Sequence, residues 1–140
     1  MPPLDTHDQR MAAIFGTPDV PAVNAETLER YLAYLKHQLL LPCHVTGTDP
    51  FAWEDYYVIG PGCQADHARL RHTRPSSLDT YDLLRLEDEV DPDDGILVHV
   101  RRDSDTKPFL LPLAHLEATQ KQSPNEQLLE DYAVWFVNGR

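Results

Sequence analysis

Cysteine is scarce in this chain, as are basic residues and long apolar runs. Cys43 and Cys63 are its only two cysteines, too few to staple 140 residues, which excludes a disulfide scaffold and points to a reducing compartment. No stretch reaches the roughly 18 to 20 consecutive apolar residues that a membrane-spanning helix needs. The opening MPPLDTHDQRMAAIFG lacks the basic, apolar and cleavage-site succession of a secretory signal, so the expected location is cytoplasmic. Basic side chains number 12 against 23 acidic ones, a formal net charge of −11. A field of that sign repels phosphate backbones and anionic headgroups, so neither nucleic acid nor membrane is an expected partner. Cations and basic protein surfaces remain as partners, beside the plain use of acidic residues for solubility.

Catalytic signatures are missing too. There is no G-x-S-x-G elbow, no H-E-x-x-H helix and no glycine-rich cradle followed by Lys-Ser/Thr, and GPG at 60–62 reads as a turn. Cys43 or Cys63 with His44 or His67 as base is a formal nucleophile pair that no spacing fixes. No enzymatic activity is expected.

What is present describes a folded domain. Hydrophobic residues make up 41% of the chain and charged ones 25%, a globular balance suited to one core. Residues 1–23, with four prolines and no sustained periodicity, read as a flexible or loosely docked arm. Residues 24–140 read as a single α+β domain. Its first helix opens at Asn24, carries Glu26 in its first turn, and buries Leu28, Tyr31, Leu32, Leu35 and Leu39 at helical spacing. Pro42 is expected to end it. Then come CHVTG, WEDYYVIG, TYDLLRL, ILVHVRR and KPFLLPL, a meander of about five strands rich in β-branched and aromatic residues. A polar segment at 60–79 interrupts them, with a short helix expected at 65–71. SPNEQLLEDYAVWFVNGR closes the chain as a helix, with Ser123 as N-cap, Pro124 at the first position and Glu126 three residues after the serine. Helix, strand meander, helix implies a small antiparallel, strongly bent, barrel-like sheet flanked by an N-terminal and a C-terminal helix.

Six of the eight positions at 87–94 are acidic, in LEDEVDPDDG. The run lies between two strands expected to pair, so hairpin geometry gathers Asp88, Glu89, Asp91, Asp93 and Asp94 in a small volume. A hard cation such as Ca²⁺ relieves their repulsion and takes six to eight oxygens, at roughly 10⁻⁴ to 10⁻³ M for so flexible a loop. The alternative is a solvated hairpin turn, in which Asp93 and Asp94 tolerate the tight bend and Gly95 supplies a positive φ. The EF-hand pattern fails. With Gly95 at the sixth position, Val90 falls first, Pro92 third and Arg101 twelfth, where a bidentate Glu belongs. Asp103, Ser104 and Asp105 lie at the next turn and serve only a separate site. Cys63, Asp66, His67 and His72 offer zinc-type donors at a spacing that matches no zinc motif. Trp53, Tyr56 and Tyr57, read as a strand, place one tyrosine outward as a candidate peptide contact.

The C-terminal third, KPFLLPLAHLEATQKQSPNEQLLEDYAVWFVNGR, resembles the end of the small bacterial calcium-binding proteins of the cyanobacterial CcbP type. Those proteins carry a last strand of the form Phe-x-Leu/Val-Pro-Leu-x-x-Leu-Glu, then a helix ending in Asp-aromatic-x-x-Trp. The matching residues are Phe109, Leu111, Pro112, Leu113, Leu116 and Glu117, then Asp131, Tyr132 and Trp135. The acidic stretch at 87–94 also fits, whereas 1–23 and 62–79 have no counterpart. The resemblance implies a compact α+β unit that binds calcium through acidic loops without an EF-hand, as a buffer or regulatory module.

Overall fold

The computed structural model describes residues 6–140. Helix α1 (His7–Phe15) opens on a reciprocal cap, Thr6 Oγ1 accepting the Gln9 N–H while Gln9 Oε1 accepts the Thr6 N–H. Gly16 closes it in the left-handed region, at φ 69°. The stretch read as an arm is therefore partly a helix, and it is built into the core: Met11 and Phe15 are buried. Asp131 of the last helix accepts Arg10 Nε at 2.6 Å and Nη2 at 2.9 Å, with Gln127 Nε2 at 3.0 Å. Short length and flanking prolines hid this helix from a periodicity reading, although Thr-x-x-Gln is a capping-box signature. Residues 1–5 of that expected arm lie outside the described residues.

Helix α2 (Ala25–Gln38) begins at Asn24 as expected and buries Leu28, Tyr31, Leu32 and Leu35. It stops four residues short of Pro42, because the Leu40 peptide is captured by Asn125, whose Oδ1 accepts its N–H at 3.0 Å and whose Nδ2 donates to its carbonyl at 2.9 Å. Then come β1 (Cys43–Gly47), a 3₁₀ turn (Ala52–Glu54) continuing into α3 (Asp55–Val58), and α4 (Gln64–Leu70). Strands β2 (Thr80–Leu86), β3 (Leu97–Arg102), β4 (Pro108–Pro112) and β5 (Leu116–Ala118) precede α5 (Pro124–Asn138). The stretch WEDYYV at 53–58 is helical rather than a strand, and Ile59 and Gly60 turn away from it. The fifth strand is instead the short 116–118 segment, which pairs with β1.

The sheet is antiparallel throughout, in the order β4-β3-β2-β1-β5, and its edge strands are not joined, so it does not close as a barrel. One face carries Val45, Tyr81, Leu83, Val98, Val100 and Leu111 into a core shared with α1, α2 and α5. A bulge after Leu83 shifts the β2–β3 register, leaves Leu84 exposed and returns Leu86 to the interior. The opposite face is polar and wet, as the alternation of β3 predicts: His99 is half-buried and Arg101 exposed. Helix α5 uses the Ser123, Pro124 and Glu126 opening and inserts Leu129, Tyr132, Trp135 and Phe136 against the sheet. Trp135 lies 5.0 Å from Tyr31 and 5.4 Å from Phe15, ring centre to ring centre, which binds the three helices through aromatic contact.

Two buried polar anchors hold the 52–79 excursion. Glu54 is fully buried and accepts from Phe51 N–H at 3.1 Å, Ser77 N–H at 2.7 Å and Ser76 Oγ at 2.6 Å, with His67 Nε2 at 2.8 Å. That demand for an inward carboxylate turns the backbone here into a helix. Arg102 continues the inward face of β3, and its guanidinium donates to the carbonyls of Arg71, His72 and Arg74 and to the Asp79 and Asp105 carboxylates at 2.8–3.1 Å.

Candidate metal centre

The acidic run at 87–94 joins β2 to β3. Asp91 organises it: its N–H and carbonyl exchange bonds with Gly95 at 2.7 and 2.8 Å, and its Oδ1 accepts the N–H groups of Asp93 and Asp94, both at 2.8 Å. Those two bonds fold three carboxylates into one tight turn and hold the Asp91 carboxyl below its usual range, the Asp94 bond contributing most. Gly95 sits at φ 74°, where a side chain would be strained. Val90 and Ile96 pin the turn to the core from either side.

The remaining carboxylates diverge. Asp88 is taken by Lys36 of α2 at 2.8 Å, and that bond lowers its pKa. Glu87 is taken by His99 at 2.7 Å, again with its pKa lowered. Among the described residues, the exposed Glu89, Asp93 and Asp94 side chains form no hydrogen bond or ion pair. Asp91, Asp93 and Asp94 thus share one turn, while Asp88 leans toward α2.

A second group forms on the wet face of the sheet. Among the described residues, His44, Asp82 and Asp103 bring one ligand atom each within 4.8 Å of one another. His44 and Asp82 are direct cross-strand partners on β1 and β2. Asp103 follows β3, where its N–H donates to the Thr80 carbonyl at 3.0 Å and its Oδ2 accepts the Thr80 hydroxyl at 2.8 Å. His44 Nε2 contacts Asp103 Oδ2, and Thr119 Oγ1 lies 3.0 Å from His44 Nδ1. Arg101, the β3 partner of Asp82, is 3.4 Å from its carboxylate. In the sequence Asp103 lies at the turn after the ILVHVRR strand, expected to serve only a separate site, and nothing in the primary order links it to His44 or Asp82. The available signal was outward polar residues on strands expected to be neighbours.

The other sequence candidates scatter. His67 serves Glu54, Asp66 faces Arg69 at 3.7 Å, and Cys63 is exposed at the cap of α4. Burial, assisted by the Asp82 charge, pushes the Cys43 thiol up to about 11, so it stays protonated at neutral pH. Trp53 donates its indole N–H to the Pro75 carbonyl at 2.6 Å, while Tyr56 is exposed on α3. No helix among the described residues is long and apolar enough to cross a membrane.

No family model matches the sequence, and no curated protein is similar to it. A solved structure described as a calcium binding protein in the calcium-binding form is similar over 95% of this chain and 90% of its own, at 16% identity and a TM-score of 0.58. At that identity the correspondence establishes a shared fold.

Proposed function

We propose that this chain is a calcium-binding protein that takes Ca²⁺ on the acidic turn, through Asp91, Asp93 and Asp94 with Asp88 and Glu89 in support. It acts as a cytoplasmic buffer or regulatory module and not as an enzyme. The observation that carries the reading is the correspondence, across nearly the whole chain, with a calcium-binding protein. The chemistry of the turn agrees: its donors are all oxygen, the preference of a hard cation, and its carboxylates repel one another until a cation joins them. The flanking elements are strands, so the turn lacks the helix-loop-helix frame of an EF-hand. Asp91 Oδ1 is committed to the two backbone N–H groups, which leaves its second oxygen for the ion.

Thermal melting of chelator-stripped protein tests this. Ca²⁺ at ten times its dissociation constant should stabilise the fold by about 1.4 kcal/mol, a rise of a few degrees, with a smaller response to equal Mg²⁺, which keeps its waters. An unchanged midpoint in millimolar Ca²⁺ contradicts the proposal and redirects attention to a basic protein partner, whose binding salt would weaken.

A further inference from the structure

We infer that His44, Asp82 and Asp103 form a second metal site, selective for a borderline divalent transition metal of the Zn²⁺ type. The spacing is close to what a metal needs. An ion bound at about 2.0 to 2.2 Å in a four-coordinate shell holds its ligand atoms about 3.3 to 3.6 Å apart, and small side-chain rotations bring one atom of each residue, now within 4.8 Å of one another, to that spacing. The ligands stand on three neighbouring strands: His44 and Asp82 are locked in register, and Asp103 is tied to Thr80 by its N–H and by its carboxylate. Little ordering of the backbone is needed to bring them together.

The orientation of His44 is an independent observation. Thr119 Oγ1 lies 3.0 Å from His44 Nδ1 and 3.3 Å from the His44 carbonyl. A metal ion on Nε2 needs the ring hydrogen on Nδ1, and the Thr119 oxygen stands where it can accept from Nδ1–H while its own hydrogen turns to the carbonyl. Nε2 and the Asp103 carboxylate share a hydrogen bond here, and a metal ion taking the place of that proton would spread the two ligand atoms to about 3.3 to 3.6 Å apart. Histidine ligands in metal sites are held this way, with the non-ligating ring nitrogen donating to an oxygen behind it.

The donor set decides the metal. Imidazole nitrogen is a borderline donor that suits Zn²⁺, and one His with two carboxylates leaves a position for water in a four-coordinate shell. Ca²⁺ prefers an all-oxygen shell, whereas this group offers an imidazole nitrogen beside its two carboxylates. The two sites therefore divide by ligand chemistry: the oxygen-only turn for Ca²⁺, the sheet face for the softer ion. Arg101 beside Asp82 is the competing cation, and it is half-exposed and free to swing into solvent.

The test is titration of the full, chelator-stripped chain with Co²⁺, followed by displacement with Zn²⁺. One Co²⁺ per chain with the visible bands of four-coordinate cobalt is expected, removed by Zn²⁺ and not by Ca²⁺. His44→Gln and Asp82→Asn should weaken Zn²⁺ binding by 100-fold or more, and Thr119→Val by about 10 to 100-fold. The Asp91, Asp93 and Asp94 to Asn triple variant should leave it unchanged. These positions are partly exposed, so circular dichroism should show each variant folded. Absence of the cobalt bands, or equal Zn²⁺ affinity in His44→Gln, overturns the inference and reduces the contact to a hydrogen bond between imidazole and carboxylate.

Discussion

The Tyr132 hydroxyl occupies the space that a side chain at Gly95 would need. It accepts the Ile96 N–H at 2.9 Å, and a Cβ built on Gly95 would lie 2.5 Å from the same oxygen and 2.6 Å from Phe136. The acidic turn is thus seated directly on α5: core residues fix its position, and the Asp91 carboxylate shapes it from within.

Gly95→Ala should destabilise the protein by about 2 to 4 kcal/mol, combining overpacking with a left-handed backbone that alanine disfavours. Tyr132→Phe should cost about 1 to 3 kcal/mol, because it leaves the buried Ile96 N–H without an acceptor. Urea midpoints measure both. An unperturbed Gly95→Ala midpoint would mean that the turn is not seated on α5.

Glu54 makes stability depend on acid. Burial pushes its pKa up, but hydrogen bonds from Ser76, Ser77, His67 and Phe51 together outweigh that and bring it down to about 2 from 4.5. A carboxylate with a depressed folded pKa stabilises above its unfolded value and loses that contribution as pH falls through its folded value. The window is therefore from about 4.5 down to about 2. Glu54→Gln should start lower at neutral pH, by about 1 to 3 kcal/mol, and decline less steeply through that window. Parallel stability curves for the two proteins would contradict this account.

Arg102→Lys should cost about 3 kcal/mol, since an ammonium cannot reproduce a planar fork that serves two carboxylates and three carbonyls. The loss should be local first. Limited proteolysis should cut within residues 71–79 faster than in the native protein, and a protected segment in the variant would show that Arg102 does not anchor it.

Much of the fold was legible in the residues because local signals and burial agree there. Asn24 and Ser123 cap the helices that their side chains advertise, and Ile96, Val98 and Val100 face inward. The same alternation extended two residues further carries Arg102 into the interior, which its charge disguised. WEDYYV misled because aromatic and β-branched residues suit strands, whereas the backbone obeys the hydrogen-bond demands of buried Glu54. The acidic turn was visible as composition, and its Asp91 bonds with Asp93 and Asp94 follow ordinary Asx-turn chemistry. The group of His44, Asp82 and Asp103 was hidden because 59 positions separate its first and last members, and only the β1–β2–β3 register joins them.

Isothermal titration of chelator-stripped protein with Ca²⁺, in parallel with the Asp91, Asp93 and Asp94 to Asn triple variant, tests the central claim most directly. The account predicts saturable heat with Ca²⁺ in the native chain, little with equal Mg²⁺, and its loss in the variant, which circular dichroism should show folded. Absence of heat up to millimolar Ca²⁺, or undiminished heat in the variant, would contradict calcium binding by this turn.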